Sequence, residues 1–311
     1  MIASLAAVRA GGKAAVARAL TAIEEQAGAA PVTELLDEAY ASPRGHVIGI
    51  TGPPGAGKST LIDAGLREWR ASGLTVAVLA VDPSSRASRG ALLGDRVRMR
   101  AAPDDDGVFI RSLAARDRLG GLADIAFPAT VLMRAMYDRV IVESVGVGQS
   151  ETDIAAVADT VVLCIQPGSG DSLQFMKAGI VEIPDVAVVT KADMGALASR
   201  ALADLKGALQ LGSRGAALWE TRCLSVSAST VGGLAEFLQA LDAHHRWLTE
   251  GERLNGNRAD QARQWLMGEV QAMFGREGLR AAASLLTNAG GEAPFHRAAH
   301  VLRRIRVTAE N

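Results

Sequence analysis

The stretch GITGPPGAGKST, residues 49–60, decides the fold of this chain. It follows the short apolar run HVIGIT and precedes the helix-like run STLIDAGLREWRASG. Four of its residues fit the pattern G-x-x-x-x-G-K-[ST] in the strand–turn–helix context that the pattern requires: Gly52, Gly57, Lys58 and Ser59. In such a turn, glycines leave room for backbone N–H groups at a helix N-terminus to surround phosphate oxygens. The stretch therefore predicts a phosphate-binding loop.

The residues of this loop have distinct expected contacts with a nucleotide. Lys58 would neutralise the β- and γ-phosphates during catalysis, Ser59 would hold Mg²⁺, and Thr60 would reach the α-phosphate. The predicted nucleotide contacts in the loop are Gly52, Pro54, Gly55, Ala56, Gly57, Lys58, Ser59 and Thr60. A dinucleotide-binding fingerprint fits less well, because a lysine has no role there.

Around the loop, continuous apolar strands alternate with helical stretches, which is typical of a mostly parallel sheet covered on both faces. The predicted fold is α/β, a P-loop NTPase three-layer sandwich with helical extensions at both ends. We expect an N-terminal helical extension of two helices at 1–44, a core at 45–248 and a C-terminal helical extension at 249–311. Within the core, the predicted helix LADIAFPATVLMRAMYD is expected to be interrupted at Pro128.

Composition excludes several classes of protein. The 311 residues carry a net charge of −1, so no basic excess favours nucleic acid or an anionic membrane. No apolar run approaches the roughly 18 residues of a membrane span. Cys164 and Cys223 are expected to be buried thiols in a reducing compartment. The Ala/Arg-rich N-terminus resembles a transit peptide, but its apolar residues recur at helical spacing, which favours a folded helix and a cytoplasmic protein.

Three carboxylates are candidates for a phosphate-bound Mg²⁺. Asp82 ends the strand TVAVLAVD, Glu143 lies at the end of the strand RVIVES, and Asp95 lies in the loop GALLGD. Single acidic residues at strand ends are more often solvated or capping. Here, however, the C-terminal ends of parallel strands meet at the edge that carries the phosphate loop. The predicted metal ligands are Ser59, Asp82, Asp95 and Glu143.

The segment TKAD, residues 190–193, predicts the base. A carboxylate at Asp193 can accept hydrogen bonds from N1–H and N2–H₂ of guanine, while the stem of Lys191 lies along the ring. Adenine has neither donor there and would leave the carboxylate unpaired. Thr190 replaces the usual Asn and is expected to loosen the tie between base loop and phosphate loop. Ser227 and Ala228 fit the loop that meets guanine O6, so GTP and GDP are the predicted ligands.

Longer segments resemble one family of GTPases. VDPSSRASRGALLGDRVRM, ESVGVGQSETDIA and PGSGDSLQFMKAGIVEIPDVAVVTKAD look like the methylmalonyl-CoA mutase-associated GTPases, the MeaB/ArgK-like family of the SIMIBI class. The resemblance implies a GTP-hydrolysing chaperone that gates cofactor delivery to an adenosylcobalamin-dependent acyl-CoA mutase and protects or reactivates the mutase. It also implies a homodimer joined partly through the C-terminal helices, with the amphipathic stretch 265–274, and a cobalamin adenosyltransferase as a further partner. Ala178 stands where a basic residue is usual.

The resemblance also assigns the switch. Lys58, Asp82, Glu143 and Gly146 are the expected catalytic residues, with Gly146 at the γ-phosphate. Val147 follows where many GTPases place a water-orienting Gln. We therefore expect slow hydrolysis that a partner accelerates, by about 10³–10⁵-fold where an arginine finger is supplied.

Two other functions stay open. The first is a nickel-enzyme metallochaperone, suggested by His244 and His245, which we expect instead to be solvated or capping because adjacent helical residues face different sides. The second is a kinase of a small molecule or transport component. Such a kinase would need an acceptor pocket and a catalytic base that the sequence does not reveal.

Overall fold

The computed structural model describes residues 4–82, 105–114, 125–144, 153–168, 183–211, 219–287 and 293–309. Two compact units are found. The first consists of Met1–Gly45, Phe127–Met136 and Asn255–Asn311, and the second of His46–Ala126 and Tyr137–Leu254. The boundaries predicted at 44/45 and 248/249 remain predictions.

The second unit is built on seven parallel strands. They are β1 (His46–Thr51), β2 (Val76–Asp82), β3 (Val108–Ala114), β4 (Arg139–Glu143), β5 (Thr160–Ile165), β6 (Val186–Val189) and β7 (Arg222–Ser225). Their order in the sheet is β3-β2-β4-β1-β5-β6-β7, and every described pairing is parallel. The strand that precedes the phosphate loop, β1, is therefore central. The α/β fold with a mostly parallel sheet is confirmed.

Helices cover both faces of this sheet. They are α4 (Lys58–Ala71), α6 (Ala196–Leu211) and α7 (Leu234–Glu250), with short 3₁₀ turns at Ile154–Ala156 and Ala192–Met194. On one face Ile62 of α4 and Phe237 of α7 pack with Ile48 and Val188 of the strands. On the other face Leu205 of α6 packs with Leu163 and Val189. Because both faces are apolar, the strands read as continuous apolar runs.

The first unit is helical. It contains α1 (Leu5–Ala10), α2 (Gly12–Glu25), α3 (Ala30–Ala41), most of α5 (Ala126–Met136), most of α8 (Arg253–Thr287) and α9 (Pro294–Ala309). Trp265 of α8 stacks on Phe127 of α5 at 5.3 Å and meets Phe295 of α9 at 4.8 Å between ring centroids. The Asp37 carboxylate of α3 accepts the backbone N–H groups of Phe295 and His296, which caps the start of α9.

Two local predictions are wrong, for reasons of backbone geometry. The N-terminal segment forms three helices rather than two, because the chain turns at Gly11 and Gly12, the latter with φ of 59°. Pro128 does not interrupt its helix. It lies in the first turn of α5, where a backbone N–H would have no intrahelical acceptor. Farther on, α8 contains one non-helical residue, Gly275, with φ of 64°.

Candidate functional site

The phosphate loop joins the end of β1 to the start of α4. Gly52 has φ of 137°, and a Cβ built there would lie 2.1 Å from the backbone oxygen of Cys164 on β5. Gly57, with φ of 82°, is the N-cap of α4 and makes no side-chain cap. The first-turn N–H groups of a helix have no intrahelical acceptors. The loop therefore presents donors and a partial positive charge to an anion.

Lys58 is the cation of this loop. Its side chain is folded against the loop, and only 7% of the residue is exposed. The ammonium donates to the backbone oxygens of Gly52, at 2.7 Å, and Pro53, at 3.2 Å. The structure thus places a largely buried positive charge at the mouth of the loop, where the sequence predicts the β- and γ-phosphates.

Ser59 and Glu143 come together across 84 residues of sequence. The Ser59 hydroxyl donates to Oε1 of Glu143 at 2.9 Å. Glu143, 8% exposed, is the last residue of β4 and stands in register with Ile50 of β1. Just beyond, the Ser144 hydroxyl lies 2.8 Å from Oγ1 of Thr51, which joins the ends of the two strands. Two of the predicted metal ligands are thus in hydrogen-bond contact.

The other predicted phosphate-end residues are less fully described. Asp82 is the last residue of β2, the neighbour of β4, and its backbone pairs with Ala114 of β3. Asp95 and Gly146 lie outside the described residues. In the part of the chain that the structure describes, no group of three or more His, Cys, Asp or Glu residues could hold a metal ion.

Thr190 links the base side of the site to the phosphate loop. It is 5% exposed, and its hydroxyl lies 2.6 Å from the backbone oxygen of Ala56 and 3.0 Å from that of Ile165. Its backbone N–H also donates to Ile165, at 2.9 Å. The tie that the sequence expects to be loosened is therefore present, made by a hydroxyl in place of an amide.

Asp193 is held by the loop after β7. Its Oδ1 accepts the Ser227 hydroxyl at 2.6 Å, and Ser229 lies 3.5 Å away. The Ser227 hydrogen bond is the main cause that holds the pKa of Asp193 below its ordinary value. Nearby, the N–H of Ala192 donates to the backbone oxygen of Val226 at 3.2 Å. The carboxylate is therefore ionised near neutral pH and is oriented by the Ser227 hydroxyl, so it can act as a hydrogen-bond acceptor.

Lys191 lies between these two ends. Its backbone is left-handed, with φ of 52° and ψ of 44°, a conformation that costs roughly 1–2 kcal/mol for a residue with a side chain. Its ammonium donates to Oε1 of Gln166 at 2.6 Å and to the backbone oxygen of Gly55 at 3.2 Å. Sequence reasoning missed Gln166. The only available signal was a polar residue directly after the buried strand TVVLCI.

The expectation that His244 and His245 are solvated or capping is wrong for His244. This residue is 2% exposed, and its Nδ1 lies 2.8 Å from the hydroxyl of Thr160, which also lies 2.7 Å from Nε2 of His46. His245 stacks on His46 with 4.3 Å between ring centroids. Burial lowers the pKa of His244 to about 4, so the ring is neutral near pH 7. The pair is part of the packing between α7 and the sheet.

The two cysteines are free thiols. Cys164 is buried, and burial raises its pKa to about 12, whereas Cys223 is only half-buried.

Across the described ranges, the helices are too short or too polar to span a lipid bilayer.

Comparison with known proteins gives a consistent result. The sequence model of the family described as "Methylmalonyl Co-A mutase-associated GTPase MeaB" matches residues 16–280. A putative GTPase of Pyrococcus horikoshii is 41% identical over 268 residues, which cover 85% of this chain and 82% of that protein. The mouse "Methylmalonic aciduria type A homolog, mitochondrial" is 38% identical over 228 residues, 72% of this chain and 55% of that protein.

Among solved structures, the crystal structure of a LAO/AO transport system kinase superposes with a TM-score of 0.67 at 28% sequence identity. The alignment covers 99% of this chain and 96% of that one.

Proposed function

Since the chain belongs to the methylmalonyl-CoA mutase-associated GTPase family, we propose that it is a GTP-hydrolysing chaperone of an adenosylcobalamin-dependent acyl-CoA mutase. The chain is a GTPase. In the proposed role it gates cofactor delivery and protects or reactivates the mutase. The main support for a single nucleotide site is that the Ser59–Glu143 contact and the Asp193–Ser227 contact both lie at the C-terminal edge of one parallel sheet.

The phosphate end of the proposed site consists of the loop and Lys58. The N–H groups at the start of α4 and the Lys58 ammonium, which lies against the backbone oxygens of Gly52 and Pro53, would supply positive charge to the phosphates. As negative charge builds up on the departing phosphate oxygens, Lys58 would stabilise it. Gly146, in the proposed switch, would donate its N–H to the γ-phosphate, and hydrolysis would release that contact.

The donors at the phosphate end fit Mg²⁺. The ion prefers oxygen ligands and is commonly held by one or two carboxylates together with substrate phosphates. Ser59 and Glu143 supply a hydroxyl and a carboxylate within 2.9 Å of each other. With Asp82 and Asp95 they would hold Mg²⁺, which would neutralise charge on the β- and γ-phosphates.

At the base end, guanine selectivity would come from Asp193. Its ionised carboxylate can accept the two donors that guanine has and adenine lacks, while Ser227 fixes its orientation. We propose that Lys191 and Thr190 complete the base site, and that Ala228 belongs to the loop that meets guanine O6.

The base assignment is tested by Asp193→Asn. The amide of the variant donates where the carboxylate accepts, so the affinity for GTP should fall by at least about tenfold. Xanthosine triphosphate presents an acceptor at C2, so it should bind the variant more tightly than it binds the wild type. Affinities for both nucleotides are measured on wild type and variant by calorimetry. Unchanged preference for GTP would refute the assignment of Asp193.

The client is proposed from the family. The description of the family names methylmalonyl-CoA mutase, and the mouse relative is named after methylmalonic aciduria. The partner enzyme would order the switch, because Val147 stands where many GTPases place a water-orienting Gln. We propose a cobalamin adenosyltransferase as a further partner.

We also propose that the protein is cytoplasmic. The two free thiols support this location, because disulfides are rare in the reducing cytosol.

A homodimer is part of the same proposal. On α8, Met267 and Met273 are exposed and provide apolar surface for a second copy. Trp265, in the stretch expected to join the subunits, instead packs on Phe127 and Phe295 of its own chain. Sedimentation of the wild type and of Met273→Lys tests whether this surface forms a dimer. A variant that stays as dimeric as the wild type removes this part of the proposal.

Phosphate release with and without purified methylmalonyl-CoA mutase tests the chaperone role. We expect the mutase to raise GTP turnover of the wild type but not of Lys58→Ala. Equal turnover with and without every acyl-CoA mutase of the source organism would refute the role. Thin-layer separation of products from γ-labelled GTP separates hydrolysis from the kinase reaction, since a kinase would leave the label on an acceptor.

A further inference from the structure

We propose that Gln166 is a positioning residue for guanine nucleotide binding: its side-chain oxygen holds the ammonium of Lys191 against the phosphate loop, with the lysine stem set for the base. The inference rests on the proposed nucleotide site and adds a residue to it. Gln166 itself need not touch the nucleotide.

The contact is defined by chemistry as well as by distance. A lysine ammonium only donates hydrogen bonds, so it must face the oxygen of the Gln166 amide and not the nitrogen. The separation of 2.6 Å is that of a short, charge-assisted hydrogen bond, compared with 3.2 Å from the same ammonium to Gly55. Gln166 is therefore the closer of the two acceptors that orient this lysine.

The backbone on both sides of Lys191 is held by hydrogen bonds. Before it, Thr190 donates through its N–H to Ile165, the residue that precedes Gln166 in sequence. After it, Ala192 donates to Val226. The same end of β5 thus holds Thr190 through a backbone oxygen and Lys191 through a side-chain oxygen. Between these bonds Lys191 adopts the left-handed conformation, which is uncommon for a residue with a side chain and recurs at functional sites.

The consequence concerns affinity more than turnover. Lys191 is exposed, and a lysine without a partner samples many rotamers that binding would have to restrict. With Gln166 present, much of that restriction is made before the nucleotide arrives. Loss of the acceptor is therefore expected to weaken the binding of GTP and GDP by about threefold to tenfold, the range of one ordinary net hydrogen bond. The kcat should change less than twofold.

Two variants at this position separate the acceptor from the shape. Gln166→Met keeps the length of the side chain and removes the oxygen. Gln166→Glu keeps an oxygen acceptor beside the ammonium. We expect weaker GTP and GDP binding in Gln166→Met, near-normal binding in Gln166→Glu, and thermal unfolding of both close to that of the wild type.

A double-mutant cycle with Lys191→Met tests whether Gln166 acts through the lysine. Dissociation constants for GTP are measured by calorimetry for wild type, both single variants and the double variant. In the Lys191→Met background, Gln166→Met should cause no further loss. Full additivity of the two losses, or a Gln166→Met variant that binds as well as the wild type, would overturn the inference. If the wild type itself does not bind GTP, the proposed nucleotide site fails instead.

Discussion

Replacement of Thr190 by Val removes the hydroxyl that joins base loop to phosphate loop and leaves the shape nearly unchanged. The hydroxyl lies 2.6 Å from the oxygen of Ala56 and 3.0 Å from that of Ile165. Ile165 keeps a donor, because the backbone N–H of Thr190 also reaches it at 2.9 Å. Ala56 is fully buried and loses the hydroxyl donor. The change therefore costs one buried acceptor its hydrogen bond.

The expected loss of stability is about 1–2 kcal/mol, since a net hydrogen bond is worth about 1 kcal/mol and a buried acceptor left unsatisfied adds to this. In a chain of 311 residues, that corresponds to a fall in Tm of about 2–3 °C. The loss of GTP affinity should be about threefold or more, because Ala56 belongs to the phosphate loop. Thermal unfolding and nucleotide titration are run on Thr190→Val with Thr190→Ser as the matched control.

Thr190→Ser keeps the hydroxyl and loses only a methyl group, so it should bind GTP like the wild type. If Thr190→Val and Thr190→Ser give the same Tm and the same affinity, the hydroxyl does not tie the loops and the argument from Ala56 is refuted.

Three further predictions follow from other contacts. Glu143→Gln should lower Mg²⁺-dependent GTP turnover by about 10–100-fold, measured as phosphate release over a Mg²⁺ titration, and activity equal to wild type would contradict the Ser59–Glu143 assignment. The buried His244, whose pKa of about 4 lies below its ordinary 6.5, should cost stability as pH falls from 6.5 to 4, because the unfolded chain binds the proton first. That loss is about 3 kcal/mol, and urea unfolding of His244→Gln should show a shallower dependence over this range. Gly52→Ala should destabilise the fold, because its Cβ would lie 2.1 Å from the backbone oxygen of Cys164. The control Gly207→Ala, in a helix with open space around it, should instead stabilise by up to about 1 kcal/mol, as calorimetry would record.

Much of the fold follows from local sequence. The runs HVIGIT, TVAVLAVD, RVIVES, TVVLCI and VAVV are mostly apolar, which indicates strands buried on both faces, and each contains a strand of the parallel sheet. The two predictions that failed, the number of N-terminal helices and the interruption at Pro128, were also local. A pair of glycines and a proline in a first turn act through backbone geometry, which apolar periodicity does not report.

Polar contacts were harder to predict. From its neighbours on α7, His244 was expected to be solvated. It is buried, and the Thr160 hydroxyl, which also contacts His46, meets it at the sheet. Gln166 belongs to no motif, and its contact with Lys191 depends on how the ends of β5 and β6 lie side by side. Burial and pairing across the sheet are properties of the assembled unit.

By itself, the sequence determined the parallel α/β sheet and the phosphate-binding loop. Both follow from short contiguous stretches, the apolar runs of the strands and the glycine pattern of the loop. It also brought forward Lys58, Ser59, Glu143 and Asp193 as candidates, since each stands next to a strand end or in a motif. Only the tertiary structure decided which of these side chains touch. Ser59 reaches Glu143 over 84 residues, and Asp193 is held by Ser227 over 34. Such contacts depend on strand order and register, which place distant segments at one edge of the sheet.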